Sequence, residues 1–208
     1  LRRCDAALRL NDKTDQSDAM SSNTGFAQIL DVDILAGALR GDMAAFADIY
    51  RLYGRACYNL ALRLLGNAAT AEDIVQEVFL KLMSMLRSFR GEAPFGAWLK
   101  RLTVNASIDF LRRERRLDGA DAEGILAQQA AIEPGAEQSI DVQVLLRQLS
   151  PRARAVLVLH ALEGYTHKEM ASLFGQSESY SKSLLARSLQ RLNALVDTPA
   201  PTSSTDHV

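Results

Sequence analysis

Of the 208 residues only two are cysteine, Cys4 and Cys57, too few for a disulfide framework and without the spacing of a metal site. The three histidines, His160, His167 and His207, are not spaced as metal ligands either. No apolar run approaches the ~20 residues that a helical membrane span requires, so no membrane insertion is expected. Arg2 and Arg3 do not lead into an apolar stretch with a small-residue cleavage site, and no signal peptide is expected. With so little cysteine the expected compartment is the reducing cytoplasm. A phosphate-cradling glycine loop and a nucleophile motif are both missing, which argues against an enzyme: no catalytic residue, metal or cofactor is expected. Strand-like alternation of useful length is absent too.

What is present is ordinary globular composition, 48% hydrophobic and 24% charged, which excludes wholesale disorder. The net charge of −1 conceals a segregation along the chain. Residues 81–116 carry 9 basic and 3 acidic groups, residues 117–149 carry 1 and 6, and residues 150–196 carry 6 and 3. Two basic blocks around an acidic one suggest two contacts with a polyanion and a connector that avoids it. Solvated helix surface is the plainer alternative.

Residues 1–25 are polar and aperiodic and are expected to be disordered. The first methionine is Met20, which leaves it as a candidate start and residues 1–19 as an upstream extension. From Asp33 to Arg116 the pattern is helical, with breaks at Gly41-Asp42, Gly66-Asn67 and Ser88 to Pro94. Residues 117–138 lose periodicity and collect Gly, Asp, Gln, Glu and Pro134, the composition of a linker. A second helical block runs over 139–196, followed by a Pro/Ser/Thr tail, 197–208, expected to fray. The expectation is an all-α protein: an N-terminal helical bundle over 26–116 and a smaller C-terminal domain, joined by a flexible acidic linker.

In the second block Ser150-Pro151 is an N-cap followed by proline at the first helical position, and Gly164 ends that helix. Thr166-His167-Lys168-Glu169 is a capping box for a short helix ending at Gly175, and Ser177 caps a longer one. Two helices with a tight glycine-containing turn, the second longer, form a DNA-reading helix-turn-helix. Helical phase assigns Leu185, Leu189, Leu192 and Val196 inward. It leaves Ser179, Tyr180, Ser183, Arg187 and Gln190 outward with Lys182 at the flank, side chains suited to base edges and phosphates. A plain helical bundle would share the same pattern.

In the first block Val75, Val78, Phe79, Leu82 and Leu86 form a core stripe, while Asp73, Gln76, Glu77 and Leu80 share the opposite face. That face is an acidic patch around a leucine, fit to dock a basic partner. The next helix carries a stripe of Trp98, Arg101, Asn105, Asp109, Arg112 and Arg116. An aromatic followed by polar and basic groups suits stacking on bases and holding phosphates, although Trp98 taken alone fits a core position as well.

Four segments together resemble the bacterial RNA polymerase sigma factors of the extracytoplasmic-function (ECF) group: GDMAAFADIYRLYG, AEDIVQEVFLKLM, FGAWLKRLTVNASIDFLRRERR and LSPRARAVLVLHALEGYTHKEMASLFGQSESYSKSLLARSLQRL. The resemblance covers about 40–116 and 139–195. It implies a two-domain initiation factor without catalytic activity, in which Asp73, Gln76, Glu77 and Leu80 dock on the clamp helices of the largest polymerase subunit. Trp98, Arg101, Asn105, Asp109, Arg112 and Arg113 would open and read the promoter −10 element, with the Ser88–Pro94 loop holding a flipped base. The helix-turn-helix, through Ser179, Tyr180, Lys182, Ser183 and Arg187, would read the −35 element as duplex, and the acidic linker would thread the RNA channel. An anti-sigma partner is implied as well, as is residence in the cytoplasm, on the nucleoid when active. Two departures stand out. Val104 replaces an arginine frequent before the matched asparagine, and Tyr180 and Leu184 replace residues usual in the recognition helix. The competing function is a stand-alone helix-turn-helix regulator, which would bind a two-fold-symmetric site as a dimer.

Overall fold

The computed structural model describes residues 25–117 and 142–196, and among these it contains eight α-helices and no strand. The expected disordered ends, 1–25 and 197–208, and the linker, 117–138, lie outside the described residues apart from Gly25 and Leu117. Four helices make the first block: α1 (Val32–Leu39), α2 (Met43–Leu65), α3 (Ala68–Met85) and α4 (Phe95–Leu117), with a 3₁₀ turn over Leu86–Ser88.

Each break falls where turn chemistry places it. Asp31, Asp42 and Asn67 cap α1, α2 and α3 by accepting from the backbone N–H of Asp33, Ala44 and Thr70. Helix α2 ends at Gly66, whose φ of 74° lies in the left-handed region where other residues are strained. Ile49, Tyr53, Leu60 and Leu64 of α2 meet Ile74, Val78 and Leu82 of α3 and Leu99 and Ile108 of α4 in a core closed to solvent. The segment before α1 is pinned from two sides. The Tyr53 hydroxyl donates to the Gln28 carbonyl at 2.5 Å, and the Phe26 carbonyl packs so tightly on Gly96 that a Cβ there would overlap it.

The second block holds α5 (Val142–Arg147), α6 (Pro151–Ala161), α7 (His167–Phe174) and α8 (Glu178–Val196). Ser150 caps α6 with Pro151 at its first position, and both halves of the Thr166/Glu169 capping box are formed on α7. Gly175, with φ 61°, turns the chain from α7 toward α8. Helix α6 is buried from Ala153 through Leu159 without interruption, so it has no solvent face over two turns. It is buried twice, against α7 and α8 of its own block and along α2 of the other. Contact between the blocks cannot be read from the periodicity of either one.

The inward face of α8 differs from the helical-phase expectation. Leu189 is 46% exposed, while Ser181, Leu184 and Ser188 are buried and Leu185 and Leu192 are only half-buried. The serines go inward because each finds a partner there. Ser188 donates to the Leu184 carbonyl at 2.7 Å, and Ser181 meets His167 Nδ1 at 2.9 Å. The Val196 side chain lies outside the described residues.

Candidate nucleic-acid and partner interfaces

Helix α3 turns Val75, Val78 and Leu82 into the core, which sends the residues half a turn away outward. Asp73, Gln76 and Leu80 are exposed, Leu80 to 68%, and Glu77 lies half-buried at the edge of this face. One turn on, Met83 is exposed as well and lengthens the apolar part of the patch, a continuation that i,i+3 spacing from Leu80 makes visible in the sequence. Glu77 is not a free acid. Lys81 Nζ reaches its Oε1 at 2.5 Å and Arg113 Nη2 its Oε2 at 3.5 Å, and the Lys81 hydrogen bond chiefly holds its carboxyl below the usual range. Arg113 thereby ties the acidic face of α3 to the basic end of α4.

On α4 the apolar residues Leu99, Val104, Ile108 and Leu111 are buried, and the remaining side presents the polar stripe. Arg101 and Asp109 are exposed, Asn105 and Arg112 are half-buried, and Arg112 lies 3.4 Å from Asp109. Trp98 is half-buried, with its ring 5.3 Å from Phe89 and 5.7 Å from Phe95. Phe89 lies within the Ser88–Pro94 loop and Phe95 directly follows it, so with Trp98 three aromatics gather at the loop. Motif matching singled out only Trp98, although the short spacing of the two phenylalanines around the loop carries the signal. Val104 is fully buried, so a phosphate-binding arginine at this position would point into the core. The side chain of Arg116 lies outside the described residues.

In the helix-turn-helix Ser179, Lys182 and Ser183 are exposed together on α8, while Tyr180 and Arg187 are half-buried. The Tyr180 hydroxyl receives Arg152 Nη1 at 3.4 Å, and the Ser177 hydroxyl accepts from the Tyr180 backbone N–H at 3.1 Å. Tyr180 is therefore anchored to α6 as well as presented at the surface. Leu184 is a core residue, so its departure from the usual recognition helix leaves the exposed face unchanged.

Sequence reasoning missed a set of residues between the blocks: Arg63 on α2, Lys100 on α4, Arg154 on α6 and Glu163 in the turn after α6. They are far apart in sequence and share no motif, and only packing brings them together.

Sigma-70 region 2 matches residues 49–117 and sigma-70 region 4 matches residues 139–192. The chain is 32% identical over 168 residues to the ECF RNA polymerase sigma factor SigM of Mycobacterium tuberculosis, covering 80% of this chain and 84% of that protein. It is 30% identical over 162 residues to the ECF sigma factor SigE of Mycolicibacterium smegmatis, covering 73% of this chain and 63% of SigE. Among solved structures the sigma factor RpoE of Bartonella quintana, crystallised with the anti-sigma factor NepR, superposes with a TM-score of 0.50 at 25% identity, over 74% of this chain and 98% of RpoE. The chain belongs to the sigma-70 family, in its ECF group of RNA polymerase sigma factors. Such factors direct RNA polymerase to promoters for initiation of transcription, and the stand-alone regulator is not favoured.

Proposed function

We propose that this sigma factor divides its work between two domains, region 2 over 26–116 and region 4 over 139–196, with 117–138 as linker and 1–25 and 197–208 as unstructured ends. Asp73, Gln76, Glu77 and Leu80 dock on the clamp helices of the largest subunit of core polymerase. The observation that carries this assignment is the exposed acidic–apolar face of α3, whose opposite side is committed to the core. Basic residues on a clamp surface would meet Asp73 and the edge of Glu77, and Leu80 with Met83 would bury apolar area beside them.

Beyond docking, Trp98, Arg101, Asn105, Asp109, Arg112 and Arg113 capture the single-stranded −10 element. Stacking on aromatic and cationic groups is worth about 1–3 kcal/mol per base, enough to offset unstacking of a melted step. Ser179, Tyr180, Lys182, Ser183 and Arg187 read the −35 duplex, with α8 in the major groove. Opening of the strands is driven by binding alone, and the chain is not an enzyme. Cys57, the one strongly nucleophilic side-chain type in the described core, is buried, and burial pushes its thiol up to about 11. The working compartment is the cytoplasm, on the nucleoid when active. An anti-sigma factor holds the protein inactive, a reading supported by the anti-sigma complex of the related RpoE.

The test is transcription by purified bacterial core polymerase on fragments of the source genome, with wild type and with Asp73→Arg combined with Glu77→Arg. Wild type is expected to give specifically initiated transcripts, and the double variant to keep its helical spectrum while losing association with core. Undiminished core binding by the variant overturns the docking assignment.

A further inference from the structure

Arg152 in the first turn of α6 and Tyr180 in the first turn of α8 are brought together only by packing. Arg152 Nη1 lies 3.4 Å from the Tyr180 hydroxyl, and the guanidinium carbon stands 6.0 Å over the ring of Phe174, the buried last residue of α7. One side chain of α6 thus bridges the end of α7 and the start of α8, the two helices of the DNA-reading turn. Its Nε is closed to solvent without a hydrogen-bond partner, and among the described residues no carboxylate pairs with the guanidinium. A half-buried cation in this state carries a desolvation cost that a ring face and one hydroxyl offset only in part.

Hydrogen-bond chemistry fixes the direction of this pair. A guanidinium has donors only, so the Tyr180 oxygen accepts, and the phenolic proton is left to donate elsewhere. Among the described residues no group takes that proton, and Tyr180 is only half-buried. Its backbone is held as well, by the bond from its N–H to the Ser177 hydroxyl at 3.1 Å. The outcome is an oriented O–H donor with a cation behind it, at the helix end where the dipole adds positive potential. Such a donor suits an acceptor-only group of negative charge. That describes the oxygens of a phosphodiester rather than the mixed donor and acceptor edge of a base pair. Lys182, exposed nearby, favours an anion here, while Glu178, exposed in the same turn, opposes it.

We infer that Arg152 is a positioning residue for duplex DNA: it holds Tyr180 by the hydroxyl so that the phenolic proton is presented to a backbone phosphate oxygen, beside the base edges met by Ser179, Lys182 and Ser183. The inference rests on the reading of α8 as the −35 helix and deepens it. Arg152 acts through Tyr180 and does not itself touch the DNA. A phosphate contact of this kind fixes the register of α8 in the groove without selecting a sequence.

Fluorescence anisotropy of the full chain with two short fluorescein-labelled duplexes, one A·T-rich and one G·C-rich, tests this at low salt. Tyr180→Phe keeps the ring and removes the hydroxyl; Arg152→Gln removes the guanidinium behind it. Each is expected to weaken binding about fivefold on both duplexes, with the far-UV circular dichroism unchanged. The double variant is expected to lose no more than either single one, because the second change finds no contact left to break. Losses that multiply in the double variant show Arg152 acting by itself, on the DNA or on the fold, and overturn the positioning role. Arg152→Gln without loss overturns it too. Unchanged binding by Tyr180→Phe overturns the phosphate contact, and a loss confined to one duplex overturns it in favour of a base edge. Lys182→Ala combined with Arg187→Ala tests the reading beneath. If that variant binds more weakly while Tyr180→Phe does not, the inference alone fails; if it too binds as wild type does, or wild type binds neither duplex, the −35 reading of α8 fails with it.

Discussion

Glu77 and Cys57 show how neighbours decide what a side chain does. Both are ordinary residues in the sequence, one an acid in an acidic cluster and the other a lone thiol. Lys81 and Arg113 turn Glu77 into a joint between α3 and α4, which leaves Asp73 as the more available carboxylate of the face proposed for docking. Cys57 is enclosed by α2 packing, and with its folded pKa raised the reactive thiolate is depleted until the pH approaches about 11. Iodoacetamide at pH ~8 is therefore expected to leave Cys57 unlabelled in the native protein and to label it on unfolding, as peptide mass spectrometry would record. Labelling of the native protein at the unfolded rate would contradict the burial. On α8, Arg187→Ala is expected to lower affinity for a −35 duplex by on the order of tenfold while leaving initiation from a pre-opened template unchanged. Equal loss on both templates would count against the separation of duplex and single-strand reading.

At the scale of elements, capping residues set most of the helix boundaries. Aspartate, asparagine, serine and threonine caps stand where α1, α2, α3, α6 and α7 begin, and the glycine breaks fall as turn chemistry requires. These signals are local, which is why they are legible without coordinates. The Thr166 box on α7 gives a measurable case. Thr166→Ala is expected to cost about 1 kcal/mol in urea unfolding, because the N-terminal N–H groups lose their acceptor. Hydrogen bonds from the Thr166 backbone N–H and hydroxyl hold the Glu169 carboxyl below its usual range. Its folded pKa is thus depressed, so its share of the stabilisation is present above the unfolded pKa and fades as the pH falls through the folded one. The stability gap between wild type and variant should narrow on acidification, and a gap independent of pH would argue against the reciprocal box. Helix α8 shows the limit of element-level reading. Hydropathy alone turns Leu189 inward, yet serines that bond His167 and the Leu184 carbonyl occupy that side, because hydrogen-bonded polar groups are admitted to a core that hydropathy reserves for leucine.

For the whole molecule, the packing of α6 on α2 makes the two blocks partners in stability. Because α6 is enclosed by its own block and by α2, unfolding either block strips cover from the same helix. Calorimetry of wild type is expected to show a single transition, and Glu163→Gln to split it into two by weakening the contact with Arg63 and Lys100. A wild type with two independent transitions would show that the interface adds nothing to stability. The amino-acid sequence by itself determined the all-helical character, the caps and breaks, the polar stripe of α4 and the family, since each depends on residues a few positions apart or on motifs within one segment. Tertiary structure alone decided that Glu163 sits between Arg63 and Lys100, that Arg154 seals the end of α2, and that Val104 and Leu184 belong to cores. Those outcomes depend on which surfaces meet across long separations in the chain, and no periodicity within a helix encodes the helix that will lie against it.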